Sequence, residues 1–239
     1  MNSNFSPLLH TPPDPTLPTV ATDLEGTLTA GVTWKGMYNY LRTHERATAA
    51  RQFYIAHLPA YLSFKLFRGN FGEFKNNWMR DLLRLFKGYS AERLGEMCAW
   101  VVEHELWPQR RKTVVTELET HLKAGRRALV VTGMYEPLLE QLIKKLPGLE
   151  ALATPVVWDN GHFSGELARD FNVGERKRER LRPFARDGKI YAAYGDTHPD
   201  VPMLEMSENP VAVYPDKKLR ETALARGWRV LDDESGTIR

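Results

Sequence analysis

Thr19-Val-Ala-Thr-Asp-Leu-Glu-Gly-Thr-Leu28 is the stretch on which the fold turns. Thr19, Val20 and Thr22 are β-branched and suit a pleated strand, while Gly26 has the conformational freedom for an abrupt turn directly after it. A strand predicted over 19–24 therefore ends on two acidic residues, Asp23 and Glu25. Residues two apart in an extended segment point to one side, so both carboxylates can address one substrate. Thr27 can hydrogen-bond back and steady the loop.

Upstream, Pro7, Pro12, Pro13, Pro15 and Pro18 remove backbone donors, so residues 1–18 read as an extended tail. Downstream, from Trp34 to about Val115, the apolar residues recur at helical spacing, as in Phe53, Tyr54, Leu58, Tyr61, Leu62 and Leu66. A helix over 116–123 stops at Gly125 and leads into Ala128-Leu-Val-Val-Thr132, an apolar run that reads as a buried strand. Further strands are predicted over 154–158, 189–194, 211–214 and 228–231. Helices are expected over 137–145, 174–185, 199–206 and 219–225, and a hairpin-like turn over 159–165. Alternating strands and helices with short connections predict an α/β protein, a Rossmann-like and mostly parallel sheet covered on both faces.

Composition divides the same way. Between Trp34 and Lys112 there are 14 basic and 7 acidic residues, a balance of +7, whereas the remainder of the 239 residues carries −4. That segment also holds 15 of the 25 aromatic residues, so it reads as a separate helical module over 34–112, inserted between core segments 19–33 and 113–239. The solitary Cys98 excludes an intrachain disulfide and suits a reducing compartment. No apolar run is long enough to span a bilayer and no signal peptide is evident, so the expected location is cytoplasmic, without membrane insertion. Acidic residues interrupt Glu175-Arg-Lys-Arg-Glu-Arg180, which with Arg110-Arg-Lys112 reads as solvated surface; no nucleic-acid partner is expected.

In parallel sheets the site lies beyond the carboxyl ends of the strands. Asp23 and Glu25, Thr132 and Gly133, Asp196 and Asp200, and Lys177 near the start of a helix fall there. Several carboxylates gathered at one edge repel one another unless a cation neutralises them, and an oxygen-only set favours a hard ion such as magnesium. A lysine and a hydroxyl with an adjacent amide meet the requirements of a phosphoryl group's oxygens. The set reads as phosphoryl transfer, with Asp23 as nucleophile and Glu25 as general acid and then general base.

Asp23-Leu-Glu-Gly-Thr-Leu28, Val130-Val-Thr-Gly133, Gly174-Glu-Arg-Lys177 with Leu181, and Gly195-Asp-Thr-His-Pro-Asp-Val-Pro-Met-Leu204 resemble, in order and spacing, the four motifs of the haloacid dehalogenase superfamily. Within it the chain is similar to the phosphoserine phosphatase-like branch. The resemblance implies magnesium held by Asp23, the backbone carbonyl of Glu25 and Asp196, with Asp200 in support, and phosphate contacts from Thr132 and Lys177. From Asp23 to Thr132 there are 109 positions and from Thr132 to Lys177 only 45, so the helical module corresponds to a cap inserted after the first motif. Glu25 stands where the family's usual second acid is Asp.

The expectation is a magnesium-dependent phosphatase of a small phosphorylated metabolite, acting through an aspartyl-phosphate, with a phosphoserine-like compound as the starting substrate. The alternatives are a phosphotransferase of the same superfamily and a non-catalytic ligand-binding module. In the helical module, Arg68 and Lys75 flank Gly69-Asn-Phe-Gly72 and are candidates for binding a second anionic group of the substrate.

Overall fold

The computed structural model describes residues 8–45, 47–67 and 71–232, the side chains of 45, 60–67 and 71–75 excepted. In chain order it runs through β1 (Thr19–Thr22), α1 (Thr33–Tyr40), α2 (Ala47–Phe67), α3 (Phe71–Arg84), α4 (Ala91–Val101), α5 (Lys112–Lys123), β2 (Arg127–Tyr135), α6 (Glu136–Leu142) and β3 (Leu149–Thr154). It continues through β4 (Val156–Asp159), β5 (His162–Leu167), α7 (Glu175–Leu181), β6 (Ile190–Gly195), α8 (Val201–Glu205), β7 (Ser207–Val213), α9 (Lys217–Ala225) and β8 (Arg229–Leu231).

The main sheet has the order β3-β2-β1-β6-β7-β8, with every adjacent pair parallel. This is the expected α/β class. Alternate residues of the strands feed two cores, as a sheet buried on both faces requires. On one face Val20, Val130 and Tyr194 join Met37, Leu94, Met97, Leu118 and Leu138, so helices α1 and α4 to α6 share a continuous interior with the strands. On the other, Ala21, Leu129, Ala193 and Ala212 pack with Leu181, Met203, Leu219 and Ala223 of α7 to α9. No helix among the described residues is long and apolar enough to cross a membrane.

The strand predicted over 154–158 is corrected. Thr154 closes β3, and Pro155, lacking an amide hydrogen, interrupts the chain before Val156 opens a separate antiparallel hairpin of β4 and β5. The turn of that hairpin holds Asn160 and Gly161 at φ of 47° and 79°, the doubly left-handed geometry of a tight two-residue connection. β3 escaped the sequence pattern because Glu150 is its second residue. That carboxylate is buried against Arg127, whose Nε and Nη2 each donate to it at 2.9 Å.

The same guanidinium anchors the Pro-rich segment, where Nη1 donates to the carbonyl of Pro12 at 2.9 Å and Nη2 to that of Thr11 at 2.5 Å. His10 donates its amide to Glu150 at 2.9 Å, and the Leu8 carbonyl accepts the amide of Ala151 at 3.2 Å. Residues 8–12, without helix or strand, thus lie against β3, and Leu8 occupies part of its outer hydrogen-bonding row.

Candidate active site

Strand β1 sits between β2 and β6, with Thr22 level with Val130 on one side and Tyr194 on the other. β1 and β6 end at or just beyond these positions, at Thr22 and Gly195, while β2 continues to Tyr135 and carries Thr132 and Gly133. Asp23 directly follows β1 and Asp196 directly follows β6, so the two come together where these connections diverge, and the Asp23 amide still donates to the Tyr194 carbonyl at 3.0 Å.

Carboxylate oxygens of Asp23, Asp196 and Asp200 all lie within 4.8 Å of one another. Lys177, only 3% exposed, enters this group from the first turn of α7, with Nζ 2.5 Å from Asp23 Oδ1 and 2.6 Å from Asp200 Oδ1. The second oxygen of Asp200 accepts the amides of Asp196 and Thr197 at 3.2 and 3.1 Å. Asp200 therefore orients both the lysine and the loop that carries Asp196. Thr27 donates its hydroxyl to Asp196 Oδ1 at 3.0 Å, so it braces a loop 169 residues away instead of bonding back within its own.

Burial pushes the Asp23 carboxyl up to about 6, with Lys177 opposing the rise and Asp200 adding to it. Burial, then the charges of Asp23 and Asp200, push Asp196 up to about 8. For Lys177 burial acts downward, but the two facing carboxylates outweigh it and raise the ammonium. Three carboxylates against one lysine leave the patch anionic, and its oxygen-only donors suit a hard divalent cation.

Two glycines make the approach possible. A Cβ on Gly26, whose φ is +92°, would stand 2.0 Å from Asp196 Oδ2, and one on Gly195 would stand 2.6 Å from the Asp200 Cβ. Neither position tolerates a side chain while the acids keep their places.

The other expected residues are distributed unevenly. Thr132 is buried, and its hydroxyl accepts the amide of Met134 at 3.2 Å; the Gly133 carbonyl accepts from Thr154 Oγ1 at 2.8 Å. The Glu25 carboxylate lies outside the aspartate group and accepts the Thr33 amide at 2.6 Å, at the start of α1. Arg68 lies outside the described residues, and Lys75 belongs to α3 with its side chain likewise undescribed.

Sequence reading missed Arg111. Its amide donates to the Leu28 carbonyl at 2.9 Å, its Nε to the Gly26 carbonyl at 2.8 Å, and its guanidinium lies 3.7 Å over the ring of Tyr214. Two residues on, Asp216 donates its amide to the Asp196 carbonyl at 2.8 Å. Arg111 thus fastens the loop after β1 to the loop after β7 at the point where the chain returns from the helical segment. The only signal in the sequence was its place in Arg110-Arg-Lys112, which looked like solvated charge.

Comparison with known proteins gives the family. The family model of haloacid dehalogenase-like hydrolases matches residues 20–205, so the chain belongs to that family of enzymes. It is 33% identical over 180 residues to the "Inhibition of morphological differentiation protein" of Streptomyces azureus, covering 72% of this chain and 64% of that one. To phosphoserine phosphatase SerB1 of Mycobacterium tuberculosis it is 30% identical over 161 residues, 64% of this chain and 51% of that one. The chain thus spans between half and two thirds of the length of these curated relatives. A crystal structure of a Bordetella pertussis Tohama I protein of unknown function superposes with a TM-score of 0.74 at 21% identity, over 90% of this chain and 99% of the other.

Proposed function

We propose that the chain is a magnesium-dependent phosphatase that hydrolyses a small phosphomonoester through an aspartyl-phosphate on Asp23. The observation that carries this reading is Lys177, buried and shared between Asp23 and Asp200, with Asp196 beside them at the end of β1. A lone lysine among three acids is a site in which a nucleophilic carboxylate stays ionised once a cation is present.

Asp23, Asp196 and the Glu25 carbonyl would hold magnesium, with Asp200 in support, and the ion would offset the charge of the carboxylates and of the phosphate. Asp23 attacks phosphorus as the bond to the leaving alcohol breaks, and Glu25 supplies that alcohol's proton. Glu25, now ionised, takes a proton from water as the water oxygen attacks the same phosphorus. Inorganic phosphate departs and Asp23 is regenerated. Lys177, the Thr132 hydroxyl and the Gly133 amide would contact the phosphoryl oxygens through both steps. The helical module over 34–112 would act as the cap, excluding bulk water and selecting the alcohol.

A phosphoserine-like compound is the first substrate to try, in keeping with the name of the mycobacterial relative. The test is hydrolysis of an aryl phosphate with and without magnesium, beside Asp23→Asn. Magnesium-dependent turnover that disappears in the variant supports the reading, after which phosphorylated metabolites are screened with phosphoserine first. Turnover that survives Asp23→Asn would overturn it.

A further inference from the structure

We propose that the outward face of α2 is a docking surface for an anionic lipid bilayer. This helix has two apolar faces. Ala50 and Phe53 are buried, with Phe53 and His57 packed edge-on against Trp78 at ring separations of 5.1 and 5.2 Å. On the other face Tyr54, Ile55 and Leu58 are 44%, 57% and 37% exposed, three of the seven large apolar side chains that stand out from the surface among the described residues. Arg51, also exposed, completes a 51, 54, 55, 58 series, which is one stripe of a helix.

A stripe of this kind on the solvent side of a helix calls for a partner. Charge selects between the two simplest. The segment Trp34–Lys112 carries a balance of +7 against −4 for the rest of the chain. A second copy meeting this face across a two-fold axis would set the basic segment against itself, like charge on like. Anionic headgroups instead receive that charge. At a bilayer surface Ile55 and Leu58 enter the acyl boundary, Tyr54 sits at headgroup depth, and Arg51, with the exposed Arg42 nearby in the chain, stays among the phosphates. The helix lies on the surface and does not cross it, in keeping with the absence of a spanning helix among the described residues.

The inference is independent of the active-site chemistry, because the stripe contains none of the proposed catalytic, phosphate or metal residues. The test is co-sedimentation of the full chain with phosphatidylcholine vesicles, with and without phosphatidylglycerol. Binding is expected only with phosphatidylglycerol and is expected to weaken as salt rises. Tyr54→Ser/Ile55→Ser/Leu58→Ser should lower the partition coefficient by about tenfold or more, with unchanged circular dichroism and unchanged hydrolysis of a soluble aryl phosphate. Ile55→Asp, one charge at the most exposed position, serves if the triple variant does not fold. No binding of the parent chain to phosphatidylglycerol vesicles overturns the proposal, as does binding indifferent to both variants. A dimer in sedimentation velocity that Ile55→Asp dissociates, without vesicle binding, assigns the stripe to a second copy and likewise overturns it.

Discussion

The carboxylate of Glu25 accepts the backbone amide of Thr33 at 2.6 Å, which ties the proposed acid and base to the first residue of α1. No side chain at Val32 caps that helix, so Glu25 does so from the loop after β1 and also meets the positive end of the helix dipole. The residue proposed as acid and base thereby takes its position from α1.

Glu25→Gln keeps an oxygen for the Thr33 amide but cannot move a proton. It should lower kcat for an alkyl phosphate by about 10² to 10⁴ while leaving Tm almost unchanged. With an aryl phosphate, whose leaving group needs no acid, pre-steady-state kinetics should show a burst of one phenol per chain, because the aspartyl-phosphate then lacks its base. Equal loss on both substrates with no burst would count against the assigned role.

Magnesium should raise Tm at neutral pH, since it relieves the repulsion among Asp23, Asp196 and Asp200 and binds only the folded arrangement. Asp196→Asn removes one of the proposed ligands. The variant is expected to lose most of the magnesium response. Calorimetry of both proteins with and without the ion checks this, and an undiminished response in the variant would exclude Asp196 as a ligand.

Arg111→Ala should cost about 2 kcal/mol, from one hydrogen bond to a carbonyl and one cation–π contact. It should also reduce kcat more than KM, because the loops it joins carry the reacting groups and not the part of the site that selects the alcohol. Arg111→Lys should rescue little, as an ammonium cannot both stack flat on Tyr214 and donate sideways to Gly26. Urea denaturation and steady-state kinetics of the three proteins separate the two effects.

Arg127 and Glu150 have side chains 1% and 7% exposed, so each neutralises a charge that water cannot reach. Arg127→Met should cost about 3–5 kcal/mol, whereas Arg127→Met/Glu150→Leu should recover part of that loss. Because the guanidinium also holds Thr11 and Pro12, both variants should open residues 8–18 to protease. A double variant no more stable than the single in urea would contradict a penalty that arises from the stranded carboxylate.

A run of hydrogen bonds links α5 to β6 and β8. Tyr194 donates to Glu117 at 2.7 Å, Arg229 donates to the same carboxylate, and His121 Nε2 lies 3.0 Å from the Tyr194 hydroxyl. Burial, then the nearby Arg126, lowers the His121 pKa. Burial pushes Glu117 upward, but the bonds from Arg229 and Tyr194 outweigh it and lower that pKa too. In both cases the unfolded chain takes up a proton that the folded one refuses, so stability falls as pH drops, first below about 6.5 for His121 and then below about 4.3 for Glu117. Because Asp23 and Asp196, both pushed up, work in the opposite direction between pH 7.5 and 5.5, His121→Gln should leave a urea midpoint that falls less, or rises more, on acidification than the parent's, and a variant with the parent's pH dependence would refute the attribution.

The sequence by itself determined the α/β class and pointed to Asp23, Lys177, Asp196 and Asp200, which the fold brings together, because strand and helix periods are local and these groups sit where the period breaks. It was silent wherever a residue is explained by a partner far along the chain. Glu150 made β3 look polar until Arg127 was seen to neutralise it, 23 residues away. Arg111 looked like surface charge until Gly26, 85 residues away, was seen to accept from it. Glu25 seemed bound to face the same way as Asp23, yet Thr33 claims its carboxylate. Pattern in a chain records which face of an element is apolar. Only the folded structure decides which buried charge meets which, since that depends on the distance between groups in space.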